Sequence, residues 1–271
     1  MTEFLTAQEP VLRLGAFLAV ALTMAGWEVL APRRTLSSGR RRRWPVNAAV
    51  VITGTVLVRL LFPAAVVAGI AAWTTARGIG LFNIVAVPEA VAIALSVVLL
   101  DLAIYGQHVA FHYIGPLWRL HRVHHMDLDV DFTTGVRFHP VEIVLSVLIK
   151  FAVVVALGAP VVAVLVFEVL LNGSSMFNHG NVRLARRIDK VLRAILVTPD
   201  MHRVHHSVVR AETDSNFGFC LSVWDRVFGT YRDQPAAGHD GMTVGLPRFR
   251  DAADQGFVAI MANPLRSGPA H

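Results

Sequence analysis

Cysteine is almost missing from this sequence: Cys220 is the only one in 271 residues. That excludes a disulfide framework, a cysteine-ligated zinc ribbon and a four-cysteine iron–sulfur cluster within the chain. Charge is scarce as well. Asp, Glu, Lys and Arg make up 16% of residues, well under the roughly 25% of a soluble domain. Lysine is limited to Lys150 and Lys190, so the net charge of +6 is carried almost wholly by arginine. There is no GxGxxG fingerprint, no HExxH motif and no Glu followed by His at the Glu-x-x-His spacing of soluble di-iron bundles. What is abundant is apolar: 54% of residues, gathered into long runs rather than spread at helical or strand periodicity. The composition is that of an integral membrane protein, and the fold class expected is all-α.

The runs give the organisation. A first apolar span covers about Val11 to Pro32; no basic residue precedes it, so it reads as a retained helix rather than a secretory signal. A second covers about Val46 to Trp73, with Arg59 near its middle, at a cost of about 2.5–3.5 kcal/mol if it faced lipid. The side chain must snorkel, face protein or mark a break. A third covers about Ala86 to Tyr105. The stretch 141–172 is too long for one crossing and holds Gly158-Ala159-Pro160 where a helical hairpin would turn. About four transmembrane helices, the hairpin included, are expected. Between the first two spans lies a basic run, Arg33-Arg34 and Arg40 to Arg43. It could bind nucleic acid, but its place makes it a cytoplasmic membrane-flanking loop, and no nucleic-acid partner is expected. Counting spans from there puts both His108–His139 and 173–271 on the cytoplasmic side.

Ten of the twelve histidines lie between His108 and His206, and HRVHH occurs twice, at 121–125 and 202–206. His108 and His112 are spaced i, i+4. His121, His124 and His125 share one helical face, and His202, His205 and His206 repeat that face. Thr198 as N-cap, Pro199 and Asp200 mark a helix start before the second copy, and Gly115-Pro116 separates the helix of HVAFH from that of the first HRVHH. Imidazole suits zinc, copper, iron and nickel. Eight histidines in three boxes exceed what one tetrahedral zinc uses; two metals would use them, with His179 in FNHGN as a ninth ligand. One HRVHH alone would also suit a basic interfacial helix, and two histidines a haem, but neither explains the whole set. His239 and His271, isolated in a polar tail, read as packing histidines.

The series HVAFH, HRVHH, RFHPVE, FNHGN, TPDMHRVHHS and DSNFGFCLSVWDRVFGTY, in that order over roughly 95–235, resembles the fatty acid hydroxylase/sterol desaturase superfamily. The resemblance implies a membrane anchor (1–94), a catalytic domain (95–235, with the hairpin 141–172) and a polar C-terminal tail (236–271), with a cytosolic histidine-rich helical cap over two metal ions. Carried over residue by residue, the ligands are His108, His112, His121, His124, His125, His179, His202, His205 and His206. Some members have a further histidine where this chain has Ser175, which implies a water or an open position on one metal. His139 recurs in the pattern, and a metal role or a structural pairing with Glu142 or a backbone carbonyl is open for it. Asp200, Asp214 and Asn216 lie near the last box and suit a supporting role, since ligating histidines give their other N–H to a carboxylate or carbonyl. Asp225 reads as structural, paired with a nearby arginine.

The activity implied is an O2-dependent di-iron oxygenase that hydroxylates or desaturates a C–H bond of a bilayer lipid, with zinc able to replace iron on purification. A sterol, a fatty acyl chain, an ether lipid or a carotenoid all satisfy the pattern. The electrons imply a separate reductase, ferredoxin or cytochrome donor, for which Arg183, Arg186 and Arg187 offer a basic docking surface or a lipid-facing patch. The arginine bias points to a bacterial inner membrane. A zinc-dependent membrane hydrolase is the alternative, although zinc needs only about three protein ligands and a carboxylate base. A metal transporter or sensor would hold its ligands near mid-membrane, whereas these boxes lie at span ends.

Overall fold

The structure is a computed structural model that describes residues 2–62 and 67–266. It is all-helical, with three isolated β-bridges and no strand among the described residues. The chain opens with α1 (Thr2–Leu30), α2 (Arg40–Leu61), α3 (Val67–Arg77) and the single turn α4 (Leu81–Ile84). It continues with α5 (Glu89–Tyr113), α6 (Gly115–His125), and the hairpin of α7 (Pro140–Leu157) and α8 (Val161–Asn178). Shorter helices follow: α9 (Arg186–Leu192), α10 (Pro199–His205), α11 (Arg210–Thr213), α12 (Val223–Val227), α13 (Gly238–Gly241) and α14 (Phe257–Ala262). Five helices are long and apolar enough to cross a membrane: α1 from Gln8, α2, α5, α7 and α8. The expectation of about four becomes five when each arm of the hairpin is counted.

The hairpin turns where Gly158-Ala159-Pro160 predicts. Gly158 takes the left-handed conformation (φ 61) and its N–H reaches Val154 and Val155 O, while Ala159 N donates to Val154 O. A β-carbon is penalised in that conformation, and Pro160 then starts α8 with its φ already set. Gly80 (φ 97) comes so close to the turn that a β-carbon there would lie 2.1 Å from Gly158 N. The apolar core is built from α3, α5, α7 and α8, with Ala68, Ala71, Leu100, Val154, Val164 and Phe167 all buried.

Two expectations change. The apolar stretch 46–73 is not one helix: α2 ends at Leu61 and α3 begins at Val67, with 63–66 outside the described residues. Nor is the basic run 33–43 simply a membrane-flanking loop. Arg43, on the first turn of α2, is buried and clamps Asp127 through Nε and Nη2, both at 2.8 Å, and Asp131 through Nη1 at 2.5 Å. Asp129 accepts from the backbone N–H groups of Ser37 and Ser38. The acidic stretch Asp127–Asp131, directly after the first HRVHH, is thus bonded to the start of α2. A buried carboxylate requires a partner, and a forked guanidinium satisfies two of them.

Above the apolar core these contacts build a cap from the start of α2, α6, α10 and the loops between. The segment from 236 to Arg266 folds back onto it: the Arg122 guanidinium donates to Asn263 Oδ1 and O, and Ile260 packs with Val50, Val123 and Met126. His271 lies outside the described residues.

Candidate metal centre

Each histidine box reaches the centre by a local rule. His108 and His112 sit one turn apart because α5 runs on to Tyr113 past the apolar stretch. The chain then breaks at Ile114, and α6 starts with Pro116 in its first turn and carries His121, His124 and His125. Thr198 is the N-cap residue of α10 and Pro199 its first residue, as the sequence suggests, although the Thr198 side chain makes no capping bond. α10 presents His202 and His205, with His206 as its C-cap. His179 is the C-cap of α8. All nine are buried.

They form two groups, in each of which one nitrogen per residue lies within 4.8 Å of all the others: His108, His112, His121, His125 and His205, and His124, His179, His202 and His206. The two copies of HRVHH do not serve one group each. The first gives His121 and His125 to one group and His124 to the other; the second gives His205 to the first group and His202 and His206 to the second. On a helix, i and i+4 stand nearly above one another while i+3 is turned aside. Two facing helices can therefore share two centres.

The second ring nitrogens are held. His108 Nδ1 is 2.8 Å from Phe217 O, His205 Nδ1 2.7 Å from Ser215 O, His179 Nδ1 2.7 Å from Ser175 O, and His121 Nδ1 2.7 Å from Glu142 Oε1. His112 Nδ1 is 3.4 Å from Asp214. With Nδ1 donating outward, each Nε2 lone pair is aimed inward, and Nε2 of His108, His121 and His205 has no hydrogen-bond partner among the described residues. Elsewhere Nε2 atoms face each other: His179 lies 3.0 Å from both His124 and His202, and His112 lies 3.2 Å from His125. Two ligands held about 2.0–2.1 Å from one ion stand about 3.0–3.4 Å apart. Burial pushes the imidazoles of His121 and His179 down to about 3, and burial plus neighbouring imidazoles pushes His124, His125, His202, His205 and His206 well below the usual range. Neutral and convergent nitrogens are the state that metal ligation requires. The donor set fits two imidazole-preferring transition-metal ions.

Around the groups, sequence expectations sort by contact. Asp214 touches His112. Asn216 bonds no histidine, but its side chain spans Met201 O, Arg232 O and Arg232 N, and it adopts φ 54. Asp225 accepts from Phe217 N, Gly218 N and Thr230 Oγ1 rather than from an arginine. Together these two residues fix the turn whose carbonyls, Ser215 O and Phe217 O, orient His205 and His108. Asp200 pairs with Arg203 and Arg33 and approaches His239, away from both groups. His139 is in neither group: its Nδ1 accepts from Val141 N to cap α7, and its Nε2 faces Met261 O. Ser175 contributes its carbonyl to His179 and its hydroxyl to Gly135 O.

Sequence reasoning missed Glu142 as a partner of His121. A lone carboxylate in the first turn of an otherwise apolar helix was the available signal. It also missed Phe138, which stacks on His124 at 4.4 Å, and the carbonyl acceptors, which leave no sequence signal. Beside His108 and His121 opens a cavity of about 260 Å³, lined among others by Phe111, Phe138, Val147, Leu171 and Phe219.

Comparison with known proteins matches residues 93–230 to the family model described as fatty acid hydroxylase. Among curated proteins, the ornithine lipid hydroxylase OlsE of Rhizobium tropici is 28% identical over 178 residues, 66% of this chain and 51% of that protein. The alkylglycerol monooxygenase of Homo sapiens is 28% identical over 154 residues, 55% of this chain and 32% of that protein. The matched region thus spans about half of the first relative and a third of the second. No solved structure matches at a comparable level of significance.

Proposed function

The chain belongs to the fatty acid hydroxylase family, and from that premise we propose that it is an O2-dependent membrane oxygenase that hydroxylates a C–H bond of a lipid at two iron ions. The observation that carries this reading is the division of nine buried histidines into groups of five and four, with outward nitrogens held by Glu142 and by carbonyls. Iron bound there would supply activation of O2. Everything else is work for the protein's own groups. Glu142, Ser175 O, Ser215 O and Phe217 O hold the imidazoles in one tautomer and orientation. Burial of all nine rings excludes water, and the cavity against His108 and His121 admits an apolar chain and fixes which carbon lies at the histidines. Both relatives are named for adding oxygen, one as a hydroxylase and one as a monooxygenase, which favours hydroxylation over desaturation.

The remaining parts of the reading follow from it. Residues 1–94 anchor the catalytic region 95–235, the metal centre faces the cytoplasm, and the membrane is a bacterial inner membrane. The electrons come from a separate reductase, ferredoxin or cytochrome that docks on the basic surface of Arg183, Arg186 and Arg187, all exposed.

The test is metal content. The chain is purified in detergent without chelator or histidine tag, and iron and zinc are measured per chain in the wild type, His124→Ala and His205→Ala. About two irons, reduced in each variant, are expected, followed by O2-dependent modification of lipid extracts. Stable zinc with no uptake of iron under anaerobic reconstitution would replace the oxygenase by the zinc hydrolase.

A further inference from the structure

The cavity beside His108 and His121 extends away from the cap, and its far wall is charged: Arg13, Arg59, Lys150 and Glu168 all line it. Their depth can be read from the packing. α2 runs beside α7, with Gly54 against Pro140 and Ile143 and the ring of Phe62 edge-on to Phe151 at 5.4 Å. Arg59 therefore stands beside the middle of α7, a helix long enough to cross a membrane. Lys150 is two turns below Glu142, the residue that holds His121, which is about 12 Å at 1.5 Å per residue.

Most of these charges are matched. Glu168 accepts from Lys150 Nζ at 2.6 Å and from Arg13 Nη2 at 2.7 Å, and Arg13 also pairs with Glu9 at 2.7 Å. Arg59 is different: it has no ion-pair or hydrogen-bond partner among the described residues. At this level three cations face two carboxylates, and the unmatched one, in the last turn of α2, lines the cavity while remaining exposed. An uncompensated guanidinium at mid-membrane is costly, and such residues mark substrate pathways.

We propose that this end of the cavity is an anion subsite. Arg59, with Lys150 beside it, binds the acidic group of an amphipathic lipid, a carboxylate or a phosphate, and a chain segment about 12 Å away lies against His108 and His121. A planar guanidinium takes either oxyanion with two parallel hydrogen bonds. A neutral sterol or hydrocarbon in the same cavity would make no use of Arg59, so the lining favours the acidic amphiphile as substrate class. The proposal rests on the reading of this cavity as the substrate's.

The experiment measures binding alone, without O2, reductant or turnover. The full chain in neutral detergent is titrated with oleate, oleyl phosphate and oleyl alcohol, which share one chain and differ in the head, and native mass spectrometry gives the dissociation constants. Oleate or oleyl phosphate, or both, bind at least tenfold tighter than oleyl alcohol, and the tighter of the two identifies the headgroup. Arg59→Gln brings the constants within twofold and leaves oleyl alcohol unchanged, whereas Lys190→Gln, on α9 and also exposed but outside the cavity, keeps the preference. Equal binding of all three probes, a preference that survives Arg59→Gln, or one that Lys190→Gln also removes overturns the subsite. If Arg59→Gln fails to fold, Arg59→Lys decides: it retains at least a threefold preference, and loss of that preference with oleyl alcohol binding intact overturns the proposal. Absence of iron from the purified chain would sink the oxygenase reading and leave the binding difference standing.

Discussion

The His121–Glu142 contact is the sharpest place to perturb the centre, because it joins one member of the five-histidine group to a side chain on another helix. The pair is 2.7 Å apart, with both side chains almost fully buried. Glu142→Gln keeps an acceptor oxygen at the same reach, so the tautomer of His121 survives and the metal is expected to leave no more than about tenfold faster, the lower end for loss of such a partner. Glu142→Leu removes the acceptor. The buried Nδ1–H then has no partner, at a cost of about 1–3 kcal/mol, and the ring can lower that cost by moving the proton to Nε2, the atom that should ligate. Loss of metal about 10- to 100-fold faster follows. His121 belongs to one group only, so the release should be biphasic, with half the metal fast and half at the wild-type rate. The assay is anaerobic dilution of the iron-loaded chain into excess ferrous chelator, followed by absorbance of the coloured complex. Wild-type kinetics for Glu142→Leu, or both halves released together, would refute the reasoning. A drop in the thermal stability of the metal-free protein without any change in release would make Glu142 a packing residue.

Other expectations follow from contacts outside the centre. Arg43→Gln leaves Asp127 and Asp131 buried with one cation fewer, which should cost about 3–5 kcal/mol and lower the thermal midpoint in detergent. Burial raises the Asp127 carboxyl, but Arg43 and Arg137 outweigh it and hold the group well below the usual carboxylate range. A depressed folded-state value means that this contribution is fully present above about pH 4 and is lost as pH falls toward the depressed value. In Arg43→Gln the acid transition should therefore move to higher pH, and an unmoved transition would count against the pairing. Gly80→Ala forces a β-carbon to within 2.1 Å of Gly158 N at φ 97, so more than about 1 kcal/mol of destabilisation is expected. Unchanged thermal unfolding would show that the hairpin tip gives way.

The sequence by itself determined what depends on neighbours along the chain. Runs of apolar residues set the membrane-length helices, and Gly158-Ala159-Pro160 set the turn between α7 and α8, because left-handed backbone and a fixed φ are local demands. The spacing in HVAFH and HRVHH put each set of imidazoles on one helical face. Motif order over 95–235 was enough for the family. The tertiary structure alone decided which faces meet. Periodicity fixes the side of a helix on which His124 lies, not that it joins His179, His202 and His206 rather than its own neighbours His121 and His125. Arg43 read as one more member of a basic run until Asp127 and Asp131, some 80–90 residues later, turned it inward. Arg59 was an oddity in an apolar stretch until Lys150, Arg13 and Glu168 were seen around the same cavity. The carbonyls of Ser215 and Phe217 belong to every sequence alike, and only the turn that Asn216 and Asp225 hold aims them at two histidines. Burial, pairing and convergence are properties of residues distant in sequence, and the chain must close on itself before they exist.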